Sequence, residues 1–111
     1  MVSYIPEQGD IVVLNFDPQS GHEQKGRRPA LIISNKVFNQ HLGLAFACPI
    51  TNTKRGFPFH IATESSSISG FVMTEQMKSI DYNTRNIKFI ERAHEKTLNK
   101  VLGIVDSILH K

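Results

Sequence analysis

The chain has 111 residues, 40% hydrophobic and 21% charged, with a formal net charge of +3; that is the size of one domain with its own core, and too hydrophobic for a disordered chain. No apolar run approaches the roughly 18 residues of a membrane span, and a single cysteine excludes an internal disulfide. Residues 1–53 carry four basic and four acidic side chains and residues 54–111 nine and six, so the basic second half favours an anionic partner, nucleic acid or an acidic protein segment.

Strands come first. "DIVVLNF" (10–16) is a β-branched run closed by the turn signal "DPQSG", and "PALIIS" (29–34) is a wholly apolar strand led by a proline. "LGLAFACPI" (42–50), "PFHIATE" (58–64) and "GFVMTEQ" (70–76) read as three more, the last two joined by the hairpin loop "ESSSISG"; "MKSIDY" and "NIKFIE" are shorter. From about residue 94 the period changes. Leu98, Val101, Leu102, Val105, Ile108 and Leu109 recur at three-to-four spacing and share one face of a terminal helix, which Gly103 weakens and no strong N-cap starts. Many short strands followed by one helix predict a mainly β fold, a strongly bent sheet or small barrel with the helix packed on it. The start "MVSYIPEQGD" lacks a basic stretch followed by an apolar one, so the expected compartment is the cytoplasm.

Three segments could carry chemistry. In "GHEQKGRRPALIIS" (21–34) an arginine beside a proline of fixed φ is aimed from a strand edge, and its planar fork of donors suits a phosphate; composition alone favours Arg27 and Arg28 as surface charges flanking a strand. In "PITNTKRGFPF" (49–59), Thr51, Asn52 and Thr53 offer groups that bond a phosphate or ribose, or else close a local turn, ahead of Lys54 and Arg55. In "TEQMKSI" (74–80), strand alternation would put Glu75, Met77 and Ser79 on one face and Gln76 and Lys78 on the other. Cys48, inside an apolar run, reads as a buried structural thiol. The five histidines show no metal-ligand spacing, and neither phosphate-binding glycine motifs nor a serine-nucleophile motif occurs. No metal or cofactor is expected.

On "GDIVVLNFDPQSGHEQKGRRPALIIS", "PITNTKRGFPF", "GFVMTEQMKSID" and the terminal "VLGIVDSIL", the sequence resembles the MazF/PemK family of bacterial toxin ribonucleases, over nearly all of its length. The resemblance implies an SH3-like barrel with a C-terminal helix, and a homodimer that binds RNA across its interface. It also implies sequence-specific cleavage of single-stranded mRNA, and an antitoxin whose disordered acidic C-terminal tail folds over the RNA site. The implied reaction is attack of a ribose 2′-OH on the adjacent phosphorus, leaving a 2′,3′-cyclic phosphate and a 5′-OH without a metal. The protein then supplies a base, an acid and positive charge.

Within that resemblance Arg28, the arginine of the "RP" pair, is assigned charge stabilisation, because a guanidinium is a poor acid near neutrality. Thr51 is assigned a hydrogen bond to the scissile phosphate or 2′-OH. Glu23 and His22, the latter in the "GHEQ" form of the PemK branch, are rival bases. Lys25, Arg27, Asn52, Thr53, Lys54, Arg55, Glu75, Gln76, Lys78 and Ser79 are assigned to RNA binding. In the PemK branch catalysis is assigned to an Arg and an Asp flanking the position of Thr74. Here those places hold Met73 and Glu75, which favours the pair Arg28 and Thr51. Two other readings use the same barrel: a non-catalytic inhibitor similar to the CcdB toxins that trap DNA gyrase, and an RNA-binding module that does not cut.

Overall fold

The computed structural model describes residues 4–16, 26–64 and 67–111. In chain order these form strands β1 (Asp10–Asn15) and β2 (Arg27–Ile32), helix α1 (Lys36–Leu42), strands β3 (Ala45–Thr51), β4 (His60–Ala62) and β5 (Phe71–Met73), a 3₁₀ turn (Thr74–Gln76), strands β6 (Lys78–Ile80) and β7 (Lys88–Arg92), and helix α2 (Glu95–Leu109). Every pairing is antiparallel, in the order β4-β5-β3-β2-β1-β7. β3 serves two partners along one edge: Ala45–Ala47 pair with β6, and Ile50 and Thr51 with β5. The chain must therefore leave that edge after β5 and return to it as β6, and the 3₁₀ turn makes the corner, with Met77 N–H donating to Thr74 C=O at 3.2 Å. "GFVMTEQ" is not one strand, and the alternation expected across 74–80 fails there.

The wholly apolar reading of "PALIIS" has a simple cause: the sheet is buried on both faces. Val12, Leu14, Phe16, Ala30, Ile32, Ala45, Ala47 and Ile80 fill one side, while Ile11, Leu31, Ile33, Cys48, Ile50 and Val72 face Val101 and Val105 of α2. Strand periodicity divides each run between the two cores. α2 starts one residue past the expected point without a side-chain cap. Its last turn departs from the expected buried face, since Ile108 is 42% and Leu109 71% exposed. A methyl group on Gly103 would meet nothing within 4 Å. Gly103→Ala should therefore stabilise the fold by about 0.5–1 kcal/mol, raising the midpoint of thermal unfolding.

Helix α1 was not expected from the apolar pattern. Asn39 is its one buried residue, and Val37 and Leu42 lie exposed, so no apolar stripe betrays it. Its caps do. The Asn35 side chain accepts from Phe38 N–H at 2.9 Å, and Gly43, at φ +68°, donates its N–H to Asn39 C=O at 2.9 Å. Asn39 is a junction rather than a filler. Its Nδ2 donates to Pro6 C=O (2.8 Å) and Ser34 C=O (3.1 Å), its Oδ1 accepts from the Ser34 hydroxyl, and its own carbonyl accepts from Tyr82 Oη at 2.8 Å.

A second buried polar group joins the N-terminal segment to β7. Asp10, 3% exposed, accepts from Arg92 Nη1 at 2.8 Å, from Glu7 N–H at 3.0 Å and from the Tyr4 hydroxyl. Burial first, then the hydrogen bond to Asp10, pushes the Tyr4 phenol far above its ordinary range. Burial, with a smaller contribution from the Glu75 carboxylate, pushes the Cys48 thiol from 9.0 up to about 12. Both groups keep their protons in the folded protein where the unfolded chain would lose them. The stability contributed by Cys48 is complete below pH 9 and is lost as the pH rises toward about 12, while that contributed by Tyr4 begins to fall only above pH 10.0. Thermal midpoints measured across that window should fall, and Cys48→Ala should flatten part of the fall. The same burial agrees with a structural thiol. No helix among the described residues is long and apolar enough to cross a membrane.

Candidate active site

Sheet register brings together two of the residues singled out from sequence. β2 and β3 pair Ala30 with Pro49, Leu31 with Cys48 and Ile32 with Ala47. The pairing ends at Ala30 and Pro49, just before Arg28 on β2 and Thr51 on β3. Arg28 faces Leu14 of β1 and precedes Pro29, so its backbone is fixed on both sides. Arg28, Thr51 and Asn52 line one cavity of about 270 Å³ with Pro29, Ile50 and Ser67–Ser69. A second cavity, of about 480 Å³, is lined by Thr63, Glu64 and Phe71 among others and shares Asn52 and Ser69 with the first, so the two adjoin as one cleft.

Thr51 is 6% exposed, and its Oγ1 accepts the Thr53 N–H at 3.2 Å. The local turn and the ligand-binding readings of this threonine are thus compatible: one lone pair closes the turn and the O–H remains a donor. Gly70 packs against the same residue. A Cβ at Gly70 would lie 2.5 Å from Thr51 C=O, a separation only glycine permits. Beyond Thr51, residues 52–59 are all exposed, so Thr53, Lys54 and Arg55 project into solvent ahead of Gly56, φ +68°, and the turn at Pro58 and Phe59.

The "TEQMKSI" residues divide rather than share a face. Glu75 Oε2 accepts from His60 Nε2 at 2.9 Å, and the His60 side chain is 3% exposed. Gln76 Oε1 and His60 Nδ1 are buried without a hydrogen-bond partner among the described residues. The Lys78 ammonium lies 5.5 Å from the centre of the Phe16 ring, and Ser79 is exposed on β6 opposite Phe46. Arg27 donates through Nη1 to Asn86 C=O at 2.7 Å, which ties it to the loop ahead of β7. His22, Glu23 and Lys25 lie outside the described residues. Among the described residues no three His, Cys, Asp or Glu side chains gather as a metal site.

Sequence reading missed one wall of the cleft. Ser67, Ile68 and Ser69 come from "ESSSISG", whose composition signals only a hairpin loop. The hairpin itself closes as expected, Thr63 N–H donating to Gly70 C=O at 2.9 Å. Its relation to Arg28 and Thr51 follows from β5 pairing with the end of β3, and no local motif announces that.

Residues 7–109 match the family described as "PemK-like, MazF-like toxin of type II toxin-antitoxin system", and the chain belongs to that family. The endoribonuclease toxin ChpB of Escherichia coli (strain K12) is 40% identical over 102 residues, covering 86% of this chain and 87% of ChpB. The crystal structure of MazF from Deinococcus radiodurans superposes with a TM-score of 0.91 at 39% identity, covering 96% of this chain and 98% of that one. A MazE–MazF complex from the same organism superposes with a TM-score of 0.84 at 33% identity, covering 96% and 97%. The SH3-like barrel with a C-terminal helix expected from the resemblance is this fold.

Proposed function

We propose that this chain is a sequence-specific endoribonuclease toxin of a toxin–antitoxin pair, that it acts on single-stranded mRNA in the cytoplasm as a single toxin domain, and that it thereby inhibits translation and growth. The observation that carries the reading is the convergence of Arg28 and Thr51, 23 positions apart in the chain, on one wall of one cleft. Its relatives are named endoribonuclease toxins, and a MazE-bound neighbour supports a cognate antitoxin as partner.

The chemistry follows from what each side chain can do. The nucleophile is the substrate's own 2′-OH, so the protein contributes no covalent intermediate and needs no metal to generate an attacking group. As the 2′-oxygen bonds to phosphorus, negative charge grows on the non-bridging oxygens, and the Arg28 fork meets it with two parallel N–H donors. Thr51 donates its O–H to the phosphate or the 2′-oxygen and holds the attacking geometry. Glu23 or His22, from the segment that precedes β2 in the chain, takes the 2′-OH proton, and its conjugate acid or a water molecule returns a proton to the departing 5′-oxygen. Lys25, Arg27, Lys54 and Arg55 attract the backbone, while Asn52, Thr53, Glu75, Gln76, Lys78 and Ser79 contact the RNA around the cut. A second copy of the chain completes the molecule as a homodimer. We assign its contact face to the apolar groove of Ile33, Phe46, Met77, Val105 and Leu109, where Phe46 and Leu109 stand exposed.

Incubation of the protein with long single-stranded RNA in EDTA is expected to give discrete fragments with 5′-OH ends, whose sequenced termini read the motif. Binding without products would favour the RNA-binding module. Loss of DNA supercoiling activity by gyrase, with RNA intact, would favour the gyrase inhibitor.

A further inference from the structure

We propose that Glu91 is a positioning residue of the RNA cleft: its carboxylate latches the backbone of Ser67 and Ile68 and so holds the wall that faces Arg28 and Thr51. This rests on the ribonuclease reading of that cleft.

β7 and the β4–β5 hairpin stand at opposite ends of the strand order. No strand pairing joins them, yet Glu91 of β7 accepts the N–H groups of both Ser67 and Ile68 on the same oxygen, Oε2, each at 3.2 Å. A carboxylate is the side chain suited to two converging backbone donors, since it offers only acceptors and its charge strengthens both bonds. The hairpin is braced at its base as well. Thr63, 1% exposed, donates through Oγ1 to Ile68 C=O at 2.8 Å and accepts Gly70 N–H at 3.2 Å. Gly70 in turn rests against the Thr51 carbonyl, leaving no room for a Cβ. Thr97 of α2 ties the same base down by donating to Thr63 C=O at 2.9 Å.

These contacts divide the work. Thr63, Gly70 and Thr97 fix where the hairpin leaves β4 and enters β5. Glu91 holds the N–H groups of 67 and 68 from the far end of the sheet, where Thr63 holds only the Ile68 carbonyl. Ser67 and Ile68 line the cavity with Arg28 and Thr51, so releasing them loosens one wall while Arg28 and Thr51 stay where β2 and β3 put them. RNA would then have to order that wall on binding. The loss falls on affinity rather than on the bond-breaking step.

Both donors converge on one oxygen, so glutamine can present its Oε1 in the same place, whereas alanine cannot. With a defined RNA substrate in EDTA, Glu91→Ala is expected to raise KM about tenfold with kcat within about threefold of the parent. Glu91→Gln should restore KM to near the parent value. Amide exchange followed by NMR gives a reading independent of cleavage: Ser67 and Ile68 N–H should be protected in the parent and in Glu91→Gln, and exchange freely in Glu91→Ala. An unchanged KM in Glu91→Ala, a Glu91→Gln as defective as alanine, or unprotected amides in the parent would each overturn the latch. A parent protein that cuts no RNA would instead overturn the ribonuclease reading itself.

Discussion

Arg28→Ala is expected to slow RNA cleavage by about 10²–10³-fold, the effect of deleting one preorganised donor to a developing oxyanion. The argument is geometric before it is electrostatic. The Arg28 backbone is held by β1 on one side and by the proline that follows it, and it lines the same cavity as Thr51. With the backbone already fixed, only the side chain has to be ordered when the phosphorane forms. Arg28→Lys keeps a charge but not the planar fork and should recover only part of the rate. Single-turnover cleavage of a short RNA in EDTA measures both variants. Arg28 is only partly buried at a strand end, so thermal unfolding of both should stay within a few degrees of the parent. A cleavage rate in Arg28→Ala equal to the parent's would remove this residue from the mechanism.

Asn39→Ala should be the most damaging of the single changes considered to the fold, costing roughly 2–4 kcal/mol and lowering the thermal midpoint on the order of 10 °C. Asn39 is 0% exposed. Truncation leaves the Pro6 and Ser34 carbonyls without their Nδ2 donors in a site closed to water, and takes the acceptor away from the Ser34 hydroxyl. The damage spreads, because that same hydroxyl accepts the Phe46 N–H at the start of β3 at 2.8 Å. Asn39→Asp is nearly isosteric but replaces the donor by an oxygen facing two carbonyls, and it should be no better than alanine. Denaturant melts of the two variants test the point. An aspartate variant as stable as the parent would mean the amide donors contribute little.

The strands and the terminal helix could be read from the chain because each obeys a period that burial imposes. Apolar runs such as "PALIIS" are buried on both faces of the sheet, and the three-to-four spacing from Leu98 to Val105 faces the core. Helix α1 escaped because it buries one polar residue and no apolar stripe; only its Asn35 and Gly43 caps carried a signal. The corner at Thr74–Gln76 escaped for a different reason. No glycine or proline punctuates the sequence from Phe71 to Ile80, and the turn exists because β3 needs two partners along one edge.

The candidate site divides in the same way. Arg28 and Thr51 were legible as chemistry and as matches to a known family, each beside a strand end. That they face one cavity is a consequence of the β2–β3 register, a pairing between segments about 20 positions apart. The Ser67–Ser69 wall, the close approach of Gly70 and the Glu91 latch were invisible locally, since each depends on contacts between strands distant in sequence. Composition and periodicity alone determined the β-rich class and the terminal helix, because these follow from which side chains water rejects, whereas the roles of Arg28 and Thr51 came from the resemblance to a known family. Only the tertiary structure decided which of those residues share a cleft, because antiparallel pairing and the β3 corner bring together groups that no spacing along the chain relates.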